Sequence, residues 1–205
     1  MDKGIKTSYR TLSCTSEGLY KEKMSKFISF AMPVYSADEA KEAVAAYRNR
    51  FHDARHVCWG YRIGADGDTS RSSDDGEPAG TAGKPILGQL LSNNITNVLV
   101  VVIRYFGGIK LGTGGLIVAY REAAADAIRS NSIVERAVEK VIEVEFDYIS
   151  TDSVMRLLKD EYVTVKERDF DNRCRLLLSV QLVYADTLVS ALSKIEGAKV
   201  SEDAV

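Results

Sequence analysis

Val98 to Ile103 reads VLVVVI, a short apolar and mostly β-branched run with turn residues before it and glycines after it. Such a run has no polar face to offer water, so it reads as a strand covered on both faces. Its end delivers Arg104, Tyr105 and Phe106, and Gly107, Gly108, Gly112, Gly114 and Gly115 follow closely. Glycines in that density let the backbone take positive φ and approach another surface. Leu116 to Arg129 (LIVAYREAAADAIR) then reads as a helix. Free amides at a helix start point outward and carry partial positive charge, so a glycine loop feeding that start, with Lys110 in it, suits an anion. The alternative is a tight strand-to-helix corner, because glycine spacing alone is a weak signal. On the other side of the strand in sequence lies the acidic segment Ser73 to Pro85, SDDGEPAGTAGKP. A site is therefore expected where the two segments flank one buried strand.

These residues carry a resemblance. S-D-D-G-E-P-x-G-T-A-G-x-P at Ser73 to Pro85 and R-Y-F-G-G-x-K-L-G-T-G-G at Arg104 to Gly115 closely resemble the YigZ/Impact family, and so do KMSKF at Lys23 to Phe27 and HVCWGYR at His56 to Arg62. The resemblance spans roughly residues 19 to 130. It implies an α+β chain of two domains: a ribosomal-protein-S5-domain-2-like α/β domain over 1–135, then a ferredoxin-like (βαββαβ) domain over 136–205. It also implies a place in translation, since eukaryotic Impact relatives restrain a starvation-responsive initiation-factor kinase by competing for its activator. Those relatives carry an extra N-terminal partner-binding domain, whereas a ferredoxin-like second domain is typical of bacterial YigZ members. The translation link is therefore expected without the eukaryotic partner.

The element pattern agrees with two domains. Ile5 to Leu12 and Lys26 to Val34 read as strands, and Ala37 to Arg50 as a helix that Ser36 caps with Glu39 three residues on. His56 to Ile63 and Thr69 to Ser72 read as strands, and a helix runs from Lys84 or Pro85 to Ser92. Beyond a short junction at Val134 to Ala137, the order is strand Val138–Tyr148, helix Thr151–Glu161, strand Tyr162–Phe170, a turn at Asp171 and Asn172, strand Arg173–Tyr184, helix Thr187–Glu196 capped by Asp186, and strand Ala198–Val200. That is the β-α-β-β-α-β split pattern.

Composition excludes several classes. The chain of 205 residues carries a net charge of -2, which argues against coating nucleic acid by bulk electrostatics. Residues 1–62 nevertheless hold 11 Lys/Arg against 7 Asp/Glu, which permits a basic patch on the first domain. The N-terminus lacks the apolar core of a signal peptide, and no run approaches the ~20 apolar residues of a membrane helix, so a cytoplasmic chain is expected. Cys14, Cys58 and Cys174 are widely separated and form no C-x-x-C, so neither a disulfide framework nor a zinc knuckle is indicated.

Each chemical motif has a structural alternative. Asp66, Asp68, Asp74, Asp75 and Glu77 resemble a calcium loop in charge only, because Arg71 stands where such a loop needs glycine. Asp74, Asp75 and Gly76 read instead as a turn with aspartates bonded to backbone amides. Paired carboxylates could act as acid and base with Arg104 or Lys110 steadying an anion, yet an ion pair of Arg104 with the acidic turn needs no chemistry. His52 and His56 lack a third metal ligand in register, and Cys58 beside His56 reads as a packed thiol. Trp59 or Tyr61 reads as core, and Tyr105 is open.

The expected ligand-binding residues are Asp74, Asp75, Glu77, Thr81, Arg104, Tyr105, Gly107, Gly108, Lys110, Gly112 and Thr113, with no catalytic residue, metal or cofactor assigned. The leading function is a non-enzymatic binding protein of translation or its regulation, with RNA, the ribosome or a translation-associated protein as partner and no membrane. The alternative is an enzyme acting on a small phosphorylated or acylated metabolite between the DDGEP and GGIKLGTGG segments. No oligomeric state follows from the sequence.

Overall fold

The computed structural model describes residues 6–171 and 173–202. The architecture is mixed α/β, and the chain divides into two compact units, one of Ser8–Arg136 and the other running from Ala137 onward together with Lys6 and Thr7. The first unit contains β1 (Ser8–Leu12), β2 (Ser16–Glu22), β3 (Ser25–Pro33), α1 (Ala37–Arg50), β4 (His56–Ile63) and β5 (Thr69–Ser73). It continues with α2 (Gly83–Ser92), β6 (Val98–Tyr105), α3 (Gly112–Arg129) and β7 (Ile133–Ala137). The second contains β8 (Glu139–Phe146), a short 3-10 turn, α4 (Thr151–Leu157), β9 (Val163–Phe170), β10 (Cys174–Gln181), α5 (Leu182–Leu192) and β11 (Lys199–Ser201).

Five strands of the first unit form a sheet in the order β2-β3-β6-β4-β5, with every described pairing antiparallel. The VLVVVI run lies at its centre in β6, and parity divides it. Leu99, Val101 and Ile103 join Phe30, Val57 and Tyr61 in one core, against which Val44 and Tyr47 of α1 pack. Val98, Val100 and Val102 join Ile86 and Leu90 of α2 and Ala119, Tyr120 and Ala123 of α3 in the other. Each fully buried aliphatic side chain contributes about 1.5–3 kcal/mol. Antiparallel sheets often leave one face wet; this one covers both. The start of α1 follows its sequence: Ser36 Oγ accepts from Glu39 N at 3.0 Å, and Glu39 Oε2 accepts from Tyr35 N at 2.7 Å. No helix among the described residues is long and apolar enough to cross a membrane.

The second unit has the strand order β11-β8-β10-β9, again antiparallel. Ile142, Val144 and Phe146 of β8 and Leu176, Leu178 and Val180 of β10 alternate onto one core with Val154 of α4 and Ala185, Leu188 and Leu192 of α5.

Several elements differ from the sequence expectation. Strand β2 has none of the apolar alternation that announces a strand, and it exists because Gly18 lets it lie against α3, where a Cβ would come 2.4 Å from Ala127 N. The helix expected from Leu116 starts four residues earlier, so Gly112, Gly114 and Gly115 form its first turn rather than a loop. The helix expected from Thr187 starts at Leu182, so Asp186 lies inside it and caps nothing. There the helical spacing of Ala185, Leu188 and Leu192 overrides the β-propensity of Val183 and Tyr184. The helix expected to reach Glu161 stops at Leu157, and residues 134–137, expected as a junction, lie in β7 beside β1. The turn expected at Asn172 and the strand start at Ile5 lie outside the described residues.

Candidate functional site: a pocket at the end of the central strand

Parity along β6 decides what its end presents. Arg104 continues the Val98, Val100, Val102 series and lies on the α3 side, between Phe27 of β3 and His56 of β4 as cross-strand neighbours. Tyr105 takes the opposite side, where its hydroxyl donates to Asp53 Oδ1 at 2.8 Å. In β4, His56 and Cys58 share the Arg104 side, while Tyr61 is buried in the α1 core and Trp59 stacks on it with centroids 5.6 Å apart.

The acidic segment is a turn built on its own amides. Glu77 N donates to Asp74 O at 2.9 Å, with Asp75 and Gly76 at positive φ between them. The Asp74 carboxylate accepts from Gly80 N at 2.8 Å, Ala82 N at 2.9 Å and Gly83 N at 2.8 Å, so it caps α2, which has no cap of its own. Burial pushes this carboxyl up, but the amides of Gly80, Gly83 and Ala82 outweigh it and hold the group below the usual carboxylate range. Asp75 accepts from Val57 N at 2.6 Å and pairs with Arg48 at 2.6 Å, while its carbonyl takes His56 Nδ1 at 2.7 Å. Thr81 donates to Pro78 O at 2.7 Å.

Glu77 alone of the three acids turns inward. Its Oε1 accepts from Arg104 Nη1 at 2.6 Å and from the Tyr120 hydroxyl at 2.8 Å, and His56 Nε2 lies 4.0 Å away. The Arg104 guanidinium is held between the Phe27 and Phe106 rings, 5.5 and 5.6 Å from their centroids. Burial pushes the Tyr120 phenol and the Cys58 thiol far up, so both stay protonated and donate. Cys58 Sγ donates to Asp74 O at 3.0 Å, which makes it a structural thiol without nucleophilic character.

Above this network lies a pocket of about 420 Å³. Arg55, Arg104 and Lys110 bring positive charge to it, Glu77 one carboxylate, and Pro78, Phe106, Leu111 and Leu116 apolar wall. Gly112 and Thr113 of the first turn of α3 close another side. Of the residues expected from sequence, Glu77, Arg104, Lys110, Gly112 and Thr113 meet here. Asp74, Asp75 and Thr81 stand behind the pocket as turn and cap, and Tyr105 lies on the other face of the sheet. Gly107 packs onto the Met24–Ser25 backbone, where a Cβ would come 2.1 Å from Met24 C, and Gly108 turns the chain at φ 88°. Arg55, His56, Gly76, Pro78, Phe106, Leu111 and Leu116 were not among those expected. For His56 part of the signal is in the sequence, since strand parity sets it on the side of Cys58, which reads as a packed thiol, whereas its pairing with the strand that ends in Arg104 is seen only in the fold. Among the described residues no three His, Cys, Asp or Glu side chains converge as a metal ion needs.

Residues 23–128 match the Impact N-terminal domain family. The chain is 34% identical to the IMPACT family member YvyE of Bacillus subtilis (strain 168), over 78% of this chain and 74% of that protein. It is 45% identical to the IMPACT family member YigZ of Escherichia coli (strain K12), over 52% of this chain and 53% of that protein. A crystal structure described only as that of a hypothetical protein superposes with a TM-score of 0.76 at 28% identity, over 96% of this chain and 97% of the other. Both the acidic turn and the glycine-rich start of α3 fall inside the matched span, and the chain belongs to the YigZ/Impact family.

Proposed function

We propose that this protein is a non-enzymatic binding protein linked to translation or its regulation, working in the cytoplasm and engaging RNA, the ribosome or a translation-associated protein through the pocket at the end of β6. The observation that carries the reading is the charge of that pocket: three cations and the open start of α3 face one carboxylate, and that carboxylate is already paired with Arg104. Such a surface suits phosphate. Family membership supports the link to translation. The finer architecture belongs to the same reading: a ribosomal-protein-S5-domain-2-like first domain and, from about residue 136, a ferredoxin-like second domain, supported by the order β11-β8-β10-β9. The enzyme alternative has its support in a pocket volume that suits a small metabolite.

The test is cofractionation of the full chain with ribosomal particles at low and moderate salt, beside RNA binding measured across a salt series. Lys110→Gln is the informative variant, because Arg104 is engaged with Glu77 and its loss would disturb the fold. Removing one phosphate contact should lower the slope of log affinity against log salt by about 0.7–0.9. No cofractionation at low salt, with an unchanged slope for the variant, refutes the reading.

A further inference from the structure

Arg104 holds an unused donor. Its side chain is 8% exposed, and its Nε is sealed from solvent without a hydrogen-bond partner, the one such buried side-chain atom among the described residues. A buried donor left unpaired costs its desolvation, and an isolated instance marks a place where a ligand or ion completes the bonding. Arg104 lines the pocket together with the first turn of α3, an eighteen-residue helix with no side-chain cap on its amides. The Arg104 side chain, with its one unpaired N–H, and an uncapped helix start therefore line the same pocket.

Charge and shape narrow the ligand. Arg55, Lys110 and Arg104 against Glu77 leave two positive charges. A phosphate monoester carries about −1.5 to −2 at neutral pH, whereas the diester inside a nucleic-acid chain carries one charge and two ester arms. A monoester therefore matches the net charge of the pocket better than a diester does. The half-exposed Phe106 ring offers apolar surface for a planar group behind the phosphate. His56 lines the same pocket, with Nδ1 donating to the Asp75 carbonyl at 2.7 Å and Nε2 as the ring nitrogen left for a ligand. Resting on the phosphate-binding reading above, we infer that the pocket takes a phosphate monoester on a nucleoside, either the 5′ end of an RNA strand or a free nucleoside monophosphate.

The experiment uses the full chain and two RNAs of about ten nucleotides, identical and labelled at the 3′ end, one with a 5′ phosphate and one with a 5′ hydroxyl. Adenosine 5′-monophosphate and adenosine serve as competitors, and as ligands in direct calorimetric titration. The 5′-phosphorylated RNA should bind about tenfold more tightly, and the monophosphate, not adenosine, should displace it. Thr113→Glu, an exposed position at the helix start, sets a carboxylate where the phosphate belongs and should erase the preference at unchanged melting temperature. Equal binding of the two RNAs, or a preference that survives Thr113→Glu, overturns the monoester site and leaves the RNA-binding reading standing. Binding of the monophosphate with no RNA binding supports the site with the free nucleotide as its source, and counts against the RNA reading. If none of the probes binds, the monoester site falls, and cofractionation with ribosomal particles decides the proposed function separately.

Discussion

Replacing Arg104 with Met should be among the most damaging single substitutions in the first unit, for a reason that can be separated from lost packing. The Arg104–Glu77 pair closes at 2.6 Å with side chains 8% and 4% exposed, so water cannot re-solvate whichever partner remains. Removing one member of a buried pair costs about 3–5 kcal/mol, since the other charge stays behind. Loss of the guanidinium from between Phe27 and Phe106 adds about 0.5–2 kcal/mol, part of which the Met side chain restores. A net loss of about 3–6 kcal/mol is a large share of the 5–15 kcal/mol that holds a domain folded. Glu77→Gln should cost less, because the amide oxygen still accepts from Tyr120. The double variant should lose less than the two singles together by about 2–3 kcal/mol. Arg48→Met provides the control: its pair with Asp75 is equally short, but the side chains are 50% and 21% exposed, so the loss should stay below about 1 kcal/mol. Urea denaturation followed by fluorescence measures all four, because Trp59, the single tryptophan, sits on β4 in the same sheet. Additivity of the two singles within about 0.5 kcal/mol, or an Arg104→Met cost no larger than that of Arg48→Met, refutes the buried-pair argument.

Asp74→Ala should cost about 0.5–2 kcal/mol at neutral pH by uncapping α2. Because the Asp74 carboxyl is held below its unfolded value, its contribution is present above the ordinary aspartate range and disappears as pH falls through the folded value, so the gap between wild type and variant in thermal melts should start to narrow only as pH drops below the ordinary aspartate range and close below the folded value, and a constant gap across pH contradicts the cap. Expressed separately, residues 1–136 and 137–205 should each give a cooperative melt by circular dichroism, as each surrounds its own apolar cluster, and an unfolded second piece sinks the two-domain division.

What was legible in the sequence was legible where one local rule sufficed. Ser36 and Glu39 announce α1, and VLVVVI announces a strand with two buried faces, because capping and burial write themselves into adjacent residues. Strand β2 could not be read, since its stability comes from an approach to α3 across more than a hundred residues, with Gly18 as the sole trace. The same division runs through the candidate site. Asp74, Asp75 and Glu77 are equal as letters, and only the turn decides that two face amides and one faces Arg104. Tyr105 and Arg104 are neighbours in sequence, yet the pleat sends them to opposite faces. Pro78 and Leu111 lie inside the two segments that announced the site, whereas no pattern in the chain ties Arg55 to a pocket.

The attachment of α3 to the sheet is uneven along its length. Serine hydroxyls from β2 and β3 donate to its late carbonyls, Ser16 Oγ to Ala127 O at 2.7 Å and Ser29 Oγ to Ala123 O at 2.6 Å, and Leu116, Ala119 and Tyr120 sink its middle into the core. A Cβ on Gly112 or Gly114, in the turn ahead of Leu116, would meet nothing within 4 Å. The helix is thus a cantilever, clamped at the tail and free at the tip. Leu111, just ahead of that turn, still packs against the core, so the freedom at the tip belongs to residues 112–114 alone. A side chain added at Gly114 therefore enters open space, whereas one added at Gly18, against the clamped tail, runs into the backbone of Ala127.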